Sequence, residues 1–359
     1  MRLALALAFS SAVLGALTMI GPAEGDTNAY RAAVSFWAMR HEFLNSGTDT
    51  YREAAGVSSA ATAWPYSQAL AATIAMTAVP NRGRLYIREA QRRIDGLKRY
   101  VRPNGAYAAG IGAGDVYYDD NEWIALELVR WWELRRDRTA LASAARLFGV
   151  VRQAWDGDET HPCPGGIFWT DAKGNDDRNT VTTATGALLA MRLYEATNNR
   201  GYVTWARRML AWVEGCMLAP DGLLWDHLSL DGERDVTHWS YNQGTAIGAY
   251  VSLYRLTGDA DALRRAEGLA NESLAYFDRT PGGPEPPYFL AIFFRNVLGL
   301  YAVDGNRAYR DAAQAYADAA WERSRLAGTS LFRFSSSRPP MLLGQAAMVQ
   351  IYAALTTVR

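Results

Sequence analysis

Two aspartates stand side by side in "DVYYDDNEWIALELVRWWELRRD" (115–137), at the entrance to a nearly unbroken apolar run. One of them is explained by capping, because Asp at a helix N-terminus accepts free backbone amides and sits in a favourable dipole field. Capping does not explain two, since neighbouring like charges repel. Asp119 and Asp120 instead suit chemistry that needs two carboxyls in different protonation states. The charge of the first raises the pKa of the second, so that one serves as nucleophile and the other as acid, the division of labour of glycoside hydrolysis. Consecutive Cα atoms lie about 3.8 Å apart, which favours the short carboxyl separation of a retaining mechanism over the wide gap of an inverting one.

Further polar and aromatic candidates surround the pair. Asn121 follows it directly. Tyr241, Asn242 and Gln243 open a later apolar helix, as do Asn179 and Thr182 another. Capping explains Asn242 and Asn179 as well as sugar binding does. Trp169 and Trp239 lie in long loops, where their rings either stack on pyranoses or pack the walls; Trp123, Trp131 and Trp132 read as core. Metal signals are weak, because "HLSLDGERDVTHW" (227–239) matches no ligand spacing and the chain has 4 His. A Ca²⁺ in "GNDDRN" (174–179) has no further support. The Gly-rich stretch 105–120 lacks GxGxxG and a preceding strand, which excludes a nucleotide loop. The expectation is an enzyme without cofactor or metal.

A period positions these residues. The end of an apolar helix, a short polar turn and an amphipathic helix recur five times, with turns near Asn81, Asp137, Asn199, Asp259 and Asn306. Amphipathic helices are expected near 29–44, 82–99, 138–153, 200–216, 260–276 and 306–323. Uniformly apolar ones alternate with them near 65–79, 120–135, 181–197, 243–257, 289–303 and 341–357. Helices apolar all round must be enclosed, and amphipathic ones face water. Six of each in alternation predict an all-α (α/α)6 barrel rather than an open solenoid. Residues 29–44 then pack beside the last inner helix. The long loops 100–119, 154–180, 217–242 and 277–288 gather at the end where the inner helices begin, where function is expected.

The segments "YYDDNEW" (117–123), "GGIFW" (165–169) with "NTVTTATGALLA" (179–190), and "YNQGTAIGAY" (241–250) occur in order, one per helix pair. With them the mature chain resembles glycoside hydrolase family 76, the endo-α-1,6-mannanases. That resemblance implies the same barrel and a retaining double displacement on α-mannan polysaccharide or oligosaccharide. Asp119 would be the nucleophile and Asp120 the general acid/base. One block departs: "FLAIFFRN" (289–296) has Leu290 and Ala291 where the family often has Lys-Gly. This places an expected difference in fine specificity there, while Arg295 is kept as a substrate-binding candidate.

Bulk properties bound the alternatives. Lys+Arg and Asp+Glu are both 37, so nothing points to nucleic acid or an anionic membrane. Residues 1–25 read as a secretory signal peptide, with Arg2, an apolar stretch from Leu3 to Ile20 and a small-x-small site at Ala23-Glu24-Gly25, the alternative being an uncleaved membrane anchor. Residues 26–359 then form one exported catalytic domain, expected as a monomer with no integral membrane segment. Cys163 and Cys216 are free to pair or to stay as buried thiols. Other readings are a transglycosylase, which passes the same intermediate to another sugar, a silent glycan-binding protein, which the intact Asp pair disfavours, and a helical protein scaffold, which the polar outer faces disfavour.

Overall fold

The structure is a computed structural model describing residues 24–357. The expected signal peptide falls almost wholly outside the described residues. Twelve helices alternate as the period demands. The inner ones are α2 (Ala63–Met76), α4 (Tyr118–Arg135), α6 (Thr180–Thr197), α8 (Ser240–Thr257), α10 (Pro287–Asp304) and α12 (Leu342–Thr357). The outer ones are α1 (Glu24–Phe43), α3 (Ile87–Gly96), α5 (Arg138–Gln153), α7 (Gly201–Trp212), α9 (Ala260–Tyr276) and α11 (Arg307–Arg323). Each inner helix packs on the next, and α12 packs back on α2, which closes the ring.

The recurring turn is a cap pair. Helices α4, α6, α8 and α10 end on Arg136, Asn198, Gly258 and Gly305, all in the left-handed region. That conformation stops a helix and frees its last carbonyls for an N–H beyond. Asp137, Asp259 and Asn306 then accept the first amides of α5, α9 and α11, as N-caps do. The reversal therefore takes two residues after α4, α8 and α10 and three after α6, and every inner helix begins at the same end of the toroid. Burial follows the pattern: α5 hides Ala140, Ala144, Leu147, Phe148 and Val151 on one face, whereas α6 is buried continuously from Thr180 to Met191. Two expected outer helices are shorter than their periodicity. The second is flanked by 3₁₀ turns (Gly83–Tyr86 and Leu97–Arg99), and α7 widens into a π turn at Val213–Met217.

The long loops carry the few strands. β1 (Leu44–Asn45) pairs with β2 (Thr50–Tyr51). β3 (Asp177–Asn179), β4 (His227–Ser229) and β5 (Arg234–Asp235) form an antiparallel sheet that ties the loop before α6 to the loop before α8. Cys163 and Cys216 form a disulfide across a separation of 53 residues, pinning the first of these loops to the end of α7. Chain-entropy arguments give such a crosslink about 4 kcal/mol at most. A Cys163→Ala/Cys216→Ala double variant is expected to unfold at a clearly lower urea midpoint, a drop that reduction of the wild type should reproduce.

Candidate active site

The pair opens α4. Tyr117 is the N-cap, and Asp119 and Asp120 lie in the first turn, 9% and 6% exposed. They share a cavity of about 410 Å³ with Thr62, Trp64, Ala109, Tyr117, Trp169, Tyr241 and Phe289. Trp169 meets Tyr117 edge to face at 4.9 Å, beside the pair. On α8 and α10, across the ring, Tyr241 stacks on Phe289 at 3.9 Å. Trp64 stands at the start of α2. Aromatic faces thus surround the acids, suited to the apolar faces of pyranose rings.

Burial separates the two acids from ordinary aspartates. It raises Asp119 from 3.8 to about 7; the amides of Asp120 and Asp119 and the Trp169 indole pull down, and the charge of Asp177 pushes up. Asp120 is raised well above its ordinary value by burial and then by the charge of Asp119. The donors gather on Asp119, so the negative charge belongs there and the proton on Asp120.

The loop that presents Trp169 is held by one cation. Arg178, fully buried, gives Nη1 to Asp156 Oδ2 (3.0 Å) and to the Cys163 carbonyl (3.0 Å). Its Nη2 reaches the carbonyls of Pro162 (2.9 Å) and Ser229 (2.8 Å). The Trp169 amide bonds the Asp177 carbonyl, and the Tyr118 amide bonds the Trp169 carbonyl, which locks this loop onto the start of α4.

Of the residues expected at the site, Asp119, Asp120, Trp169 and Tyr241 line the cavity. The others are not among its walls. Asn121 spends its amide on Tyr107 and the Tyr117 carbonyl. Gln243 clamps both backbone groups of Leu224 and the Trp239 carbonyl. The Thr182 hydroxyl bonds the carbonyls of Ile167 and Asn179, and Asn179 accepts from the Val181 amide. Asn242 donates to Asp226, and Trp239 packs on Phe289. Each of these side chains is thus held by contacts within the loops and helix starts.

Arg295, expected among the substrate contacts, stands away from this cavity. It lies eight residues into α10, about 12 Å below its start, and bonds Glu127 at 2.8 Å. It lines a separate cavity with Arg130, Arg192 and Arg255, toward the end where the inner helices terminate. Guanidinium groups there offset the converging C-terminal dipoles. Arg295→Met is expected to cost about 2 kcal/mol of stability, the scale of a charged hydrogen bond, with KM unchanged; urea titration and steady-state kinetics check both. Leu290 and Ala291 are 0% and 2% exposed, so these two residues are core packing, while Phe289 of the same block lines the cavity.

Sequence reasoning missed Trp64, Tyr117, Thr62 and Phe289. Their positions at or just before inner-helix starts were the available signal. Among the described residues, the ligand atoms of Asp226, His227 and Asp235 lie within 4.8 Å of one another. His227 is hydrogen-bonded to Asp226 and its pKa is raised by that bond, which favours an imidazolium over the neutral ring a metal needs.

A six-pair helical toroid with two buried aspartates among aromatic walls is the build of a helical-barrel glycosidase. The comparisons fix which one: the profile of Glycosyl hydrolase family 76 matches residues 27–283, most of the chain, and the chain belongs to that family. It is 32% identical over 143 residues to the mannan endo-1,6-alpha-mannosidase DCW1 of Saccharomyces cerevisiae, a match covering 37% of this chain and 31% of that protein. The alignment thus spans about a third of the curated relative. Among solved structures, the family 76 mannosidase Bt3792 of Bacteroides thetaiotaomicron superposes with a TM-score of 0.84 at 22% identity, covering 92% of this chain and 98% of that one. The α-1,6-mannanase GH76A of Salegentibacter sp. HEL1_6, as an inactive variant with two consecutive aspartates changed to asparagine and α-1,6-mannotriose bound, gives 0.78 at 21% identity, covering 92% and 100%.

Proposed function

We propose that the protein is an endo-acting α-1,6-mannanase that retains anomeric configuration. The observation that carries the reading is the Asp119–Asp120 pair, buried side by side at the start of an inner helix and lining an aromatic cavity, with the donors on Asp119. Asp119 attacks the anomeric carbon, and Asp120 protonates the departing oxygen. Water then hydrolyses the glycosyl ester with Asp120 as base. The mannotriose bound by the inactive Salegentibacter relative supports an α-1,6-mannan substrate. Export fits the Cys163–Cys216 bond, since disulfides persist in oxidising compartments. Among the described residues no helix is long and apolar enough to cross a membrane.

The test is incubation with linear α-1,6-mannan, product sizing and NMR of the first-formed anomer. Shortened oligosaccharides with the α-anomer first support the proposal. Products longer than the substrate mark a transglycosylase instead, and an unchanged polymer defeats the reading.

A further inference from the structure

Glu122, three residues after Asp119 on α4, is 0% exposed, and neither carboxyl oxygen has a hydrogen-bond partner. It fits because the facing residue of α6 is glycine: a Cβ on Gly186 would lie 2.8 Å from Glu122 Oε1, with Ile167 and Met209 at 3.2 Å. Among the described residues, the charge that acts on it is that of Asp119. An ionised carboxyl without donors in such a site is very costly, so the group stays protonated. Burial, and then the charge of Asp119, act in that direction. It is therefore a buried O–H with nothing to donate to. Asp119 Oδ1 supplies the complement, a buried acceptor that also lacks a partner. Residues three apart on a helix are neighbours on one face. Glu122 Oε1 and Oε2 and Asp119 Oδ1 are three unpartnered oxygens, the number of contacts by which a buried water is typically held.

We propose that Glu122 is a positioning residue for the nucleophile, donating its carboxyl proton through one bridging water to Asp119 Oδ1. The inference rests on the reading of Asp119 as nucleophile. The bond fixes the plane of the attacking carboxylate and favours its charged form. It works alongside the groups that already face Asp119: Asp120 on the same helix, Asp177 on β3, the Trp169 indole, and the phenols of Tyr117 and Tyr241. No covalent bond to Glu122 forms or breaks, and its proton stays on it throughout.

The experiment compares Glu122→Leu and Glu122→Gln in the full chain. Leucine removes the donor, and turnover on α-1,6-mannan is expected to fall roughly tenfold to a hundredfold with KM little changed. The acid limb of the kcat/KM profile should move up by roughly one pH unit, because the carboxylate has lost a donor. Glutamine keeps an N–H, and should recover most of the lost turnover. Wild-type turnover and an unmoved acid limb in the leucine variant overturn the proposal, as does glutamine as impaired as leucine. Glu122→Met replaces leucine should the latter fail to fold. Independently of any substrate, the infrared difference between wild type and Glu122→Gln at neutral pH should show a protonated carboxyl band. Its absence overturns the proposal even if mannan is cleaved. If mannan is not cleaved, the reading of the site fails, while the infrared band and an NMR titration of Asp119 still decide the role of Glu122.

Discussion

Asp119→Asn is expected to lower turnover by about 10⁴-fold or more and, at the same time, to make the folded protein more stable. The loss follows from removing the nucleophile, whose deletion in comparable acyl-transfer machinery costs about 10⁶. The gain follows from linkage. An acid whose folded pKa is raised keeps its proton in the native state after the unfolded chain has lost it. Its contribution is neutral below the unfolded pKa and grows unfavourable as pH climbs to the folded one. For Asp119 that window runs from 3.8 to about 7, a cost of about 4 kcal/mol at most. Asp120 and Glu122, raised by burial as well, add to the same slope. Wild-type activity should therefore rise through pH 7 as Asp119 ionises, and fall again when Asp120 loses its proton. Stability should decline across the whole window from 3.8 to about 7. Urea titrations at pH 5 and pH 8 check the claim: the asparagine variant should gain at pH 8 and much less at pH 5. Equal stability at both, with turnover intact, would mean that Asp119 is neither buried in solution nor the nucleophile.

Arg178→Met should unfold most of the mouth. It takes the guanidinium from the Asp156 carboxylate, 4% exposed, leaving it to His161 and the Asp158 amide, and frees four carbonyls across the 154–179 loop and β4. Breaking a buried pair from one side costs about 3–5 kcal/mol. Trp169 loses its anchored loop, so activity should fall along with the urea midpoint. An Arg178→Met/Asp156→Asn double variant should recover part of the stability, because it removes a buried charge that has lost its guanidinium. A double variant no better than the single one would show that the carbonyls, not the carboxylate, need the guanidinium.

The barrel was legible because its signal is carried by types and spacing. Asp137, Asp259 and Asn306 cap outer helices wherever they stand in the repeat, and apolar runs declare enclosure without any coordinate. Two neighbouring acids at a helix start are likewise visible in one dimension. What a sequence cannot count is partners. Asn121, Gln243 and Thr182 carry the donors and acceptors of a sugar site, yet each is satisfied by backbone from a loop whose path the chain does not announce. Arg295 was placed at the mouth because its block resembled a functional one, and the rise per residue of α10 carried it to the far end. Glu122 sat in plain view inside "YYDDNEW". Its isolation depends on Gly186, sixty-four residues later, being too small to fill the space.

The seam of the ring joins residues that are almost the whole chain apart. Asn28 donates to Gln314, and Gln345 reaches back to the Ser35 carbonyl. The α1 helix made first thus waits through the synthesis of every other pair before its neighbour exists. Until α12 docks, the flank of α1 that carries Ser35 and the flank of α2 that carries Gln68 stand open to water. A ribosome-released fragment stopping short of Leu342 would keep that flank uncovered, and nascent chains of this length would call on chaperones late in translation rather than early.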